Sequence, residues 1–261
     1  MSSHELRASA MPNAAQPLSP QAAWQQLHRS ASDRYRSGGR FAWNFARGKL
    51  GGDPLFRSLL ESGAVPPRAR VLDIGCGQGL LASLLAASDA LAASNQWPTA
   101  WAAPPTHTRY TGIDLMARDI ARAKQALAAS PLQPTLICGD MCATPFEPCD
   151  VVVLLDVLHY VDIPAQDEVL ASVRSALAPR GRLVLRVGDR SQPWRFLASQ
   201  WIDRIVVSIR RRRVGFTWGR TLEQWRAALQ AHGFAVQALP MSRGTPFANV
   251  LLRCELSEAA R

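Results

Sequence analysis

The chain has 261 residues, 48% of them hydrophobic, with 30 Lys and Arg against 20 Asp and Glu, a net charge of +10. This is enough apolar chain for one full globular core, but no apolar run is long enough to span a membrane. Residues 1–20 lack an apolar core segment, so they read as a disordered tail and not as a secretory leader; the odd count of five cysteines with no C-x-x-C pair predicts reduced, buried thiols in a cytoplasmic protein, without zinc or disulfides.

Residues 21–66 predict a helical cap. Its Trp24, Tyr35, Phe41, Trp43 and Phe45 are candidates for a lid over a substrate site, and core packing is the competing expectation for such aromatics. The run Val71-Leu72-Asp73-Ile74-Gly75-Cys76-Gly77-Gln78-Gly79-Leu80 reads as a buried strand, Arg70 to Ile74, breaking into a glycine turn and then a helix, Gln78 to about Ala87. Glycines at every second position let the chain turn tightly and let a ligand approach without meeting a Cβ. The helix that follows aims free N–H groups at the turn. A dinucleotide fingerprint reads G-x-G-x-x-G, whereas here the third glycine comes one residue early. The competing reading is an ordinary strand-to-helix turn.

An Ala-, Ser- and Pro-rich insertion with Trp97 and Trp101 is expected over residues 88–107. A second strand, Arg109 to Leu115, ends in Asp114. An acid at that place accepts hydrogen bonds from ribose hydroxyls in nucleoside-binding sheets; it would also suit the cap of a helix starting near Met116. A helix from Arg118 to Ala129 precedes a third strand that closes in Gly139-Asp140-Met141. The fourth, Asp150 to Asp156, is a continuous apolar run, as a parallel strand buried on both faces requires. It leads into Val157-Leu158-His159-Tyr160. Next come a helix from Ala165 to Leu177, a turn at Pro179-Arg180-Gly181 and a strand from Arg182 to Val187. Helices over Trp194–Arg212 and Leu222–Ala231, the latter stopped by Gly233, precede paired strands Phe234–Leu239 and Phe247–Cys254.

The glycine spacing with Asp73 two residues ahead resembles motif I of the class I S-adenosylmethionine (SAM) methyltransferases. The ordered matches at Asp114, Gly139-Asp140-Met141 and the segment after the fourth strand extend the resemblance from Val71 to Tyr160. It implies an α/β fold: a seven-stranded Rossmann-like sheet, mostly parallel with an antiparallel final strand and helices on both faces, formed by residues 67–257, with a substrate-side helical region at about 190–232. It also implies SAM as cofactor, held by Asp73, Gly75, Cys76, Gly77, Gly79, Asp114, Leu115, Asp140, Met141 and Asp156. By resemblance Asp140 meets the adenine amino group and Met141 packs near the ring. Gly39 to Pro54 and Met241 to Val250 are similar to bacterial methyltransferases of aryl-polyene or fatty-acid-like pigment synthesis, which implies a hydroxyaryl or acyl acceptor, free or on an acyl carrier protein.

A base is needed only if the acceptor proton must leave. His159 is the candidate, since its ordinary pKa lies near neutrality, with a structural histidine the equal alternative. Tyr160 and Asp156 are weaker candidates, and Asp156 would also suit a turn cap. Trp194, Trp201 and Trp218 are candidates to wall the acceptor site. The run Arg210-Arg211-Arg212-Arg213 follows an amphipathic stretch and reads as helix-end cations, as a dock for an acidic carrier protein, or as a contact to anionic lipid. Nucleic acid is disfavoured because no recognised binding module accompanies the charge. An NAD(P)-dependent oxidoreductase and a non-catalytic SAM-fold scaffold are the rival readings.

Overall fold

A computed structural model describes residues 16–188, 218–241 and 249–257. The expected Trp194–Arg212 helix, Arg210–Arg213, Trp194, Trp201 and the turn between the last two strands lie outside the described residues. The N-terminal part contains α1 (Pro20–Asp33), a 3₁₀ turn (Arg34–Gly38), α2 (Gly39–Gly52) and α3 (Pro54–Glu61). The sheet follows as β1 (Arg70–Ile74), α4 (Leu80–Ala93), β2 (Arg109–Asp114), α5 (Ala117–Leu127), β3 (Thr135–Cys138) and β4 (Cys149–Leu155). A 3₁₀ turn (Leu158–Tyr160), α6 (Ile163–Ala176), β5 (Leu177–Gly188), α7 (Leu222–Ala231), β6 (Phe234–Pro240) and β7 (Asn249–Leu256) complete it.

The seven strands are ordered β3-β2-β1-β4-β5-β7-β6, with β7 antiparallel to both of its neighbours. The chain leaves β1 toward β2 and β3 and returns to add β4 on the other side, so the strand order reverses between β1 and β4. A crevice at that reversal, at the carboxyl ends of the strands, is where open α/β sheets bind ligands.

Alternation along β4 explains why its apolar run is unbroken. Val151 and Val153 face the cluster that also contains α1 to α5, while Val152 and Leu154 face the cluster containing α6 and α7. Both faces are covered, so every position is apolar. Helix α4 is buried nearly all round, from Leu80 to Ser88, because α1 lies over it and Ser83 Oγ donates to the Ala31 carbonyl at 2.8 Å. Caps set the helix starts: Ser19 for α1, Asp53 for α3, Asp162 for α6, and a Thr221–Gln224 capping box for α7.

Three expectations are corrected. Helix α4 does not stop near Ala87 but runs to Ala93, since the Ala-rich start of the supposed insertion is a good helix former and Leu91 is buried. The remainder folds back with Trp97 and Trp101 edge to face at 5.2 Å and the Trp97 indole N–H on the Ala102 carbonyl. The Pro179-Arg180-Gly181 turn is an irregularity inside β5, where the register against β4 shifts between Cys149 and Val151. Cys138 and Cys142 are exposed, whereas Cys76, Cys149 and Cys254 are buried. Among the described residues, no helix is long and apolar enough to cross a membrane, and no His, Cys, Asp and Glu cluster could hold a metal.

Candidate functional site

The carboxyl end of β1 enters a turn in which Gly75, Gly77 and Gly79 all have positive φ, at 77°, 54° and 72°. The surroundings of the three differ. A Cβ on Gly75 would lie 2.1 Å from Val157 Cγ1, and one on Gly79 would lie 3.0 Å from Leu127 Cδ1. A Cβ on Gly77 would meet nothing within 4 Å. Gly75 and Gly79 therefore admit neighbouring protein, and Gly77 borders open space.

Asp114 holds this turn from the end of β2. Its Oδ2 accepts from the Gly77 N–H at 2.8 Å and its Oδ1 from the Met116 N–H at 2.7 Å. The helix cap itself is Met116, with no capping side chain, so Asp114 braces the turn and is not the α5 cap. Tyr35 supports the turn from behind, with its hydroxyl donating to the Gln78 carbonyl at 2.7 Å. Gln78 is buried, its Nε2 donating to Asp119 Oδ1 at 3.2 Å and its Oε1 lacking a partner among the described residues.

Asp73 is buried, and its Oδ2 accepts from the Tyr110 hydroxyl at 2.5 Å. Burial raises its pKa to about 7, with the Tyr110 hydrogen bond opposing and the Asp114 charge adding to the rise. Cys76 turns inward against Gly112, and burial pushes its thiol pKa up. Leu115 is 46% exposed, Met141 is half-buried and Asp140 is exposed. Asp140 Oδ1 accepts from the Cys142 N–H at 2.9 Å, which closes the turn after β3.

Beyond β4 the chain turns sharply at Asp156, a non-glycine residue with φ of 59°. Its carboxylate does not cap the following turn, which starts at Val157 without a side-chain cap. It pairs instead with Arg186 of β5, whose Nε lies 2.9 Å from Asp156 Oδ1, and whose Nη2 also reaches it. Arg186 Nη1 reaches both oxygens of Asp53 at 2.7 Å, and Lys49 Nζ lies 2.9 Å from Asp53. Burial disfavours the Asp53 charge, but Arg186 and Lys49 more than offset it and hold the carboxyl below its usual range.

His159 is half-buried in the 3₁₀ turn, its ring 4.2 Å from that of Tyr160. Its carbonyl accepts from the Trp218 N–H at 2.9 Å. Gln166, fully buried on α6, donates to the carbonyls of Leu158, Val161 and Trp218, and its Oε1 accepts from Arg220. Tyr160 and Trp218 remain 42% and 47% exposed, so aromatic surface stands beside His159. Of the expected lid, Tyr35 is fully buried, while Trp24, Trp43 and Phe45 pack partly buried against the core; Phe41 is 61% exposed.

Sequence reasoning missed Tyr110, Gln166, Arg186 and Arg220. A lone arginine inside the apolar run Leu183-Val184-Leu185-Arg186-Val187 was the available signal for one of them, because a buried cation needs a partner.

The topology and the glycine turn define a doubly wound α/β protein with a crevice suited to a nucleoside: an open glycine, an acid at the end of β2 and exposed apolar surface at Leu115. The chain belongs to the methyltransferase domain family, whose model matches residues 43–239. That membership sets aside the oxidoreductase reading of the turn. The fold is similar to the pyocyanin biosynthetic protein PhzM, at 18% identity and a TM-score of 0.56, covering 90% of this chain and 61% of that one. It is also similar to magnesium protoporphyrin IX methyltransferase (ChlM) from Synechocystis PCC 6803 with bound S-adenosylhomocysteine (SAH), at 21% identity and 0.54, covering 92% and 100%. N-methyltransferase NodS from Bradyrhizobium japonicum WM9 in complex with SAH matches at 20% identity and 0.55, covering 90% and 99%. This chain thus spans less than two thirds of PhzM. No curated protein sequence is significantly similar to it.

Proposed function

We propose that this chain is a SAM-dependent methyltransferase acting on a small hydroxyaryl or acyl acceptor. The observation that carries the reading is Gly77, the open member of a three-glycine turn, braced by Asp114 at the strand-order reversal. The residues present fit the cofactor. Gly77 leaves room for it, Asp114 ends β2 as an acid that would accept from ribose hydroxyls, and Leu115 and Met141 offer apolar contact to a flat base. Two of the similar folds carry bound SAH. The bound cofactor would supply a methyl carbon activated by its sulfonium. The chain's own task is then to orient an acceptor oxygen or carbon in line with that carbon.

His159 takes the acceptor proton in this reading, from a hydroxyl or carboxylic acid. Support comes from its place after β4, at the carboxyl edge, beside the exposed rings of Tyr160 and Trp218, which suit an aromatic acceptor. Arg210 to Arg213 would recruit an acidic acyl carrier protein bearing the acceptor.

The test is transfer of labelled methyl from SAM to a panel of hydroxyaryl acids, free and carrier-bound, with mass spectrometry of the product. His159→Gln should lower turnover about 10²–10⁴-fold and leave SAH affinity unchanged. Turnover within a few-fold of wild type would remove His159 as the base. SAH binding with no transfer to any acceptor would make the chain a scaffold.

A further inference from the structure

A cleft of about 550 Å³ lies between α1 and α2, on the side chains of His28, Arg29, Asp33, Arg36, Trp43 and Arg47 among others. We propose that it is a binding site for a phosphate-bearing ligand, separate from the glycine turn. Charge is the first reason. Between Pro20 and Gly52, five arginines and one lysine stand against Asp33 alone. Asp33 is already engaged by Arg36, at 2.9 Å, and by the Trp43 indole N–H at 3.1 Å. Arg29 and Arg47 have no ion-pair partner among the described residues, although both line the cleft.

Pre-organisation is the second reason. The Arg36 and Arg47 guanidinium carbons lie 4.3 and 4.7 Å from the centroid of the Trp43 ring. Stacked guanidinium planes lose less freedom on binding, and their forks match the oxygens of a phosphate. His28 Nε2 lies 2.9 Å from the Arg47 carbonyl, which fixes the spacing of the two helices.

Size and valence select the ligand. Asp33 already compensates one of the three cleft arginines, so a monocarboxylate would leave one of the other two uncompensated, whereas a phosphate monoester, with a charge of about −1.5 to −2 at neutral pH, matches both. The cleft is in the range of small-molecule sites, about 300–1,000 Å³. SAM carries no phosphate, and its proposed turn is formed by β1, α4 and β2, so this is not a cofactor subsite. The phosphate could belong to a free metabolite or to a lipid headgroup.

The test is calorimetric titration of the full chain with inorganic pyrophosphate at low salt. The expected result is saturable 1:1 binding that weakens as salt rises. It should weaken about tenfold or more in Arg29→Gln/Arg47→Gln, while the melting midpoint and SAH affinity stay unchanged. Arg29→Gln alone, at an exposed position that makes no salt bridge among the described residues, should weaken it in the same direction. Arg47→Lys, which keeps the charge and loses the fork, should fall in between. Sedimentation with phosphatidylcholine vesicles, with and without phosphatidic acid, separates the sources. Arginine-dependent binding to the acidic vesicles assigns a headgroup, and binding of pyrophosphate alone assigns a soluble ligand. Equal pyrophosphate affinity in wild type and variants, or no binding in the millimolar range, overturns the proposal. Either result would leave the SAM reading untouched, because SAH is titrated separately.

Discussion

Gly75 and Gly77 sit two residues apart in the same turn and should respond differently to an added methyl. Both have left-handed φ, which costs an L-residue about 1–2 kcal/mol. Gly77→Ala adds nothing further, since open space receives the Cβ. It should fold with that modest loss and bind SAH poorly. Gly75→Ala must also displace Val157 from the place where the new Cβ would lie, so its loss in urea denaturation should exceed that of Gly77→Ala. Equal losses would show that the turn shifts freely.

Asp73 makes a pH prediction at the same scale. Its folded pKa, about 7, lies above the ordinary value near 3.8, so the folded state holds a proton that the unfolded chain has released between those limits. Stability from this group is therefore largest below pH 4, declines by about 1.4 kcal/mol per pH unit, and levels off above pH 7. Asp73→Asn removes the titration. The stability of Asp73→Asn relative to wild type should rise from pH 4 to 7 and then stay flat. A constant difference would mean that Asp73 is ionised throughout.

At the scale of elements, Arg186 joins three pieces that are remote in sequence. It ties β5 to the β4 exit through Asp156 and to the start of α3 through Asp53, 133 residues away. Removing one partner of a buried ion network typically costs about 3–5 kcal/mol. Arg186→Met should approach that loss in chemical denaturation, reduced because Lys49 still serves Asp53 and Asp156 is one-third exposed. A loss below about 1 kcal/mol would mean that water replaces the arginine.

The elements also show what the sequence could convey. Period and punctuation placed β1 and α7 at the bounds observed, Arg70–Ile74 and Leu222–Ala231, because an apolar run ending in glycine and a helical stretch stopped by Gly233 are local signals. The glycine turn, and the place of Asp114 at the end of β2, were legible for the same reason. The Tyr35–Gln78 and Tyr110–Asp73 hydrogen bonds join residues 43 and 37 apart. Neither member carries a local sign of its partner, so Tyr35 read as a lid candidate with core packing as the alternative, and it is fully buried beneath the turn. Asp156 read as a cofactor ligand, a weaker base candidate or a turn cap, and not as an ion-pair member, because its partner, Arg186, lies on the adjacent strand.

At the scale of the whole molecule, the parallel strands β3-β2-β1-β4-β5 reverse their order between β1 and β4, and the glycine turn and Asp114 meet there. A ligand that binds only the folded chain stabilises it by mass action, about 2.7 kcal/mol at one hundred times its dissociation constant. For a domain of this size, that corresponds to a rise in Tm of about 5–10 °C. Saturating SAH should produce such a rise, and saturating NADH should not.

Calorimetric titration of SAH into the wild type and Asp114→Ala tests the central claim most directly. Asp114 is predicted to be the charged acceptor of the ribose hydroxyls and the brace of Gly77. Its loss should weaken binding by about 1.5–3 kcal/mol, the value of a hydrogen bond to a charged group, with the protein still folded. The same affinity in both proteins, or no SAH binding by the wild type, would contradict the assignment of this crevice as the cofactor site.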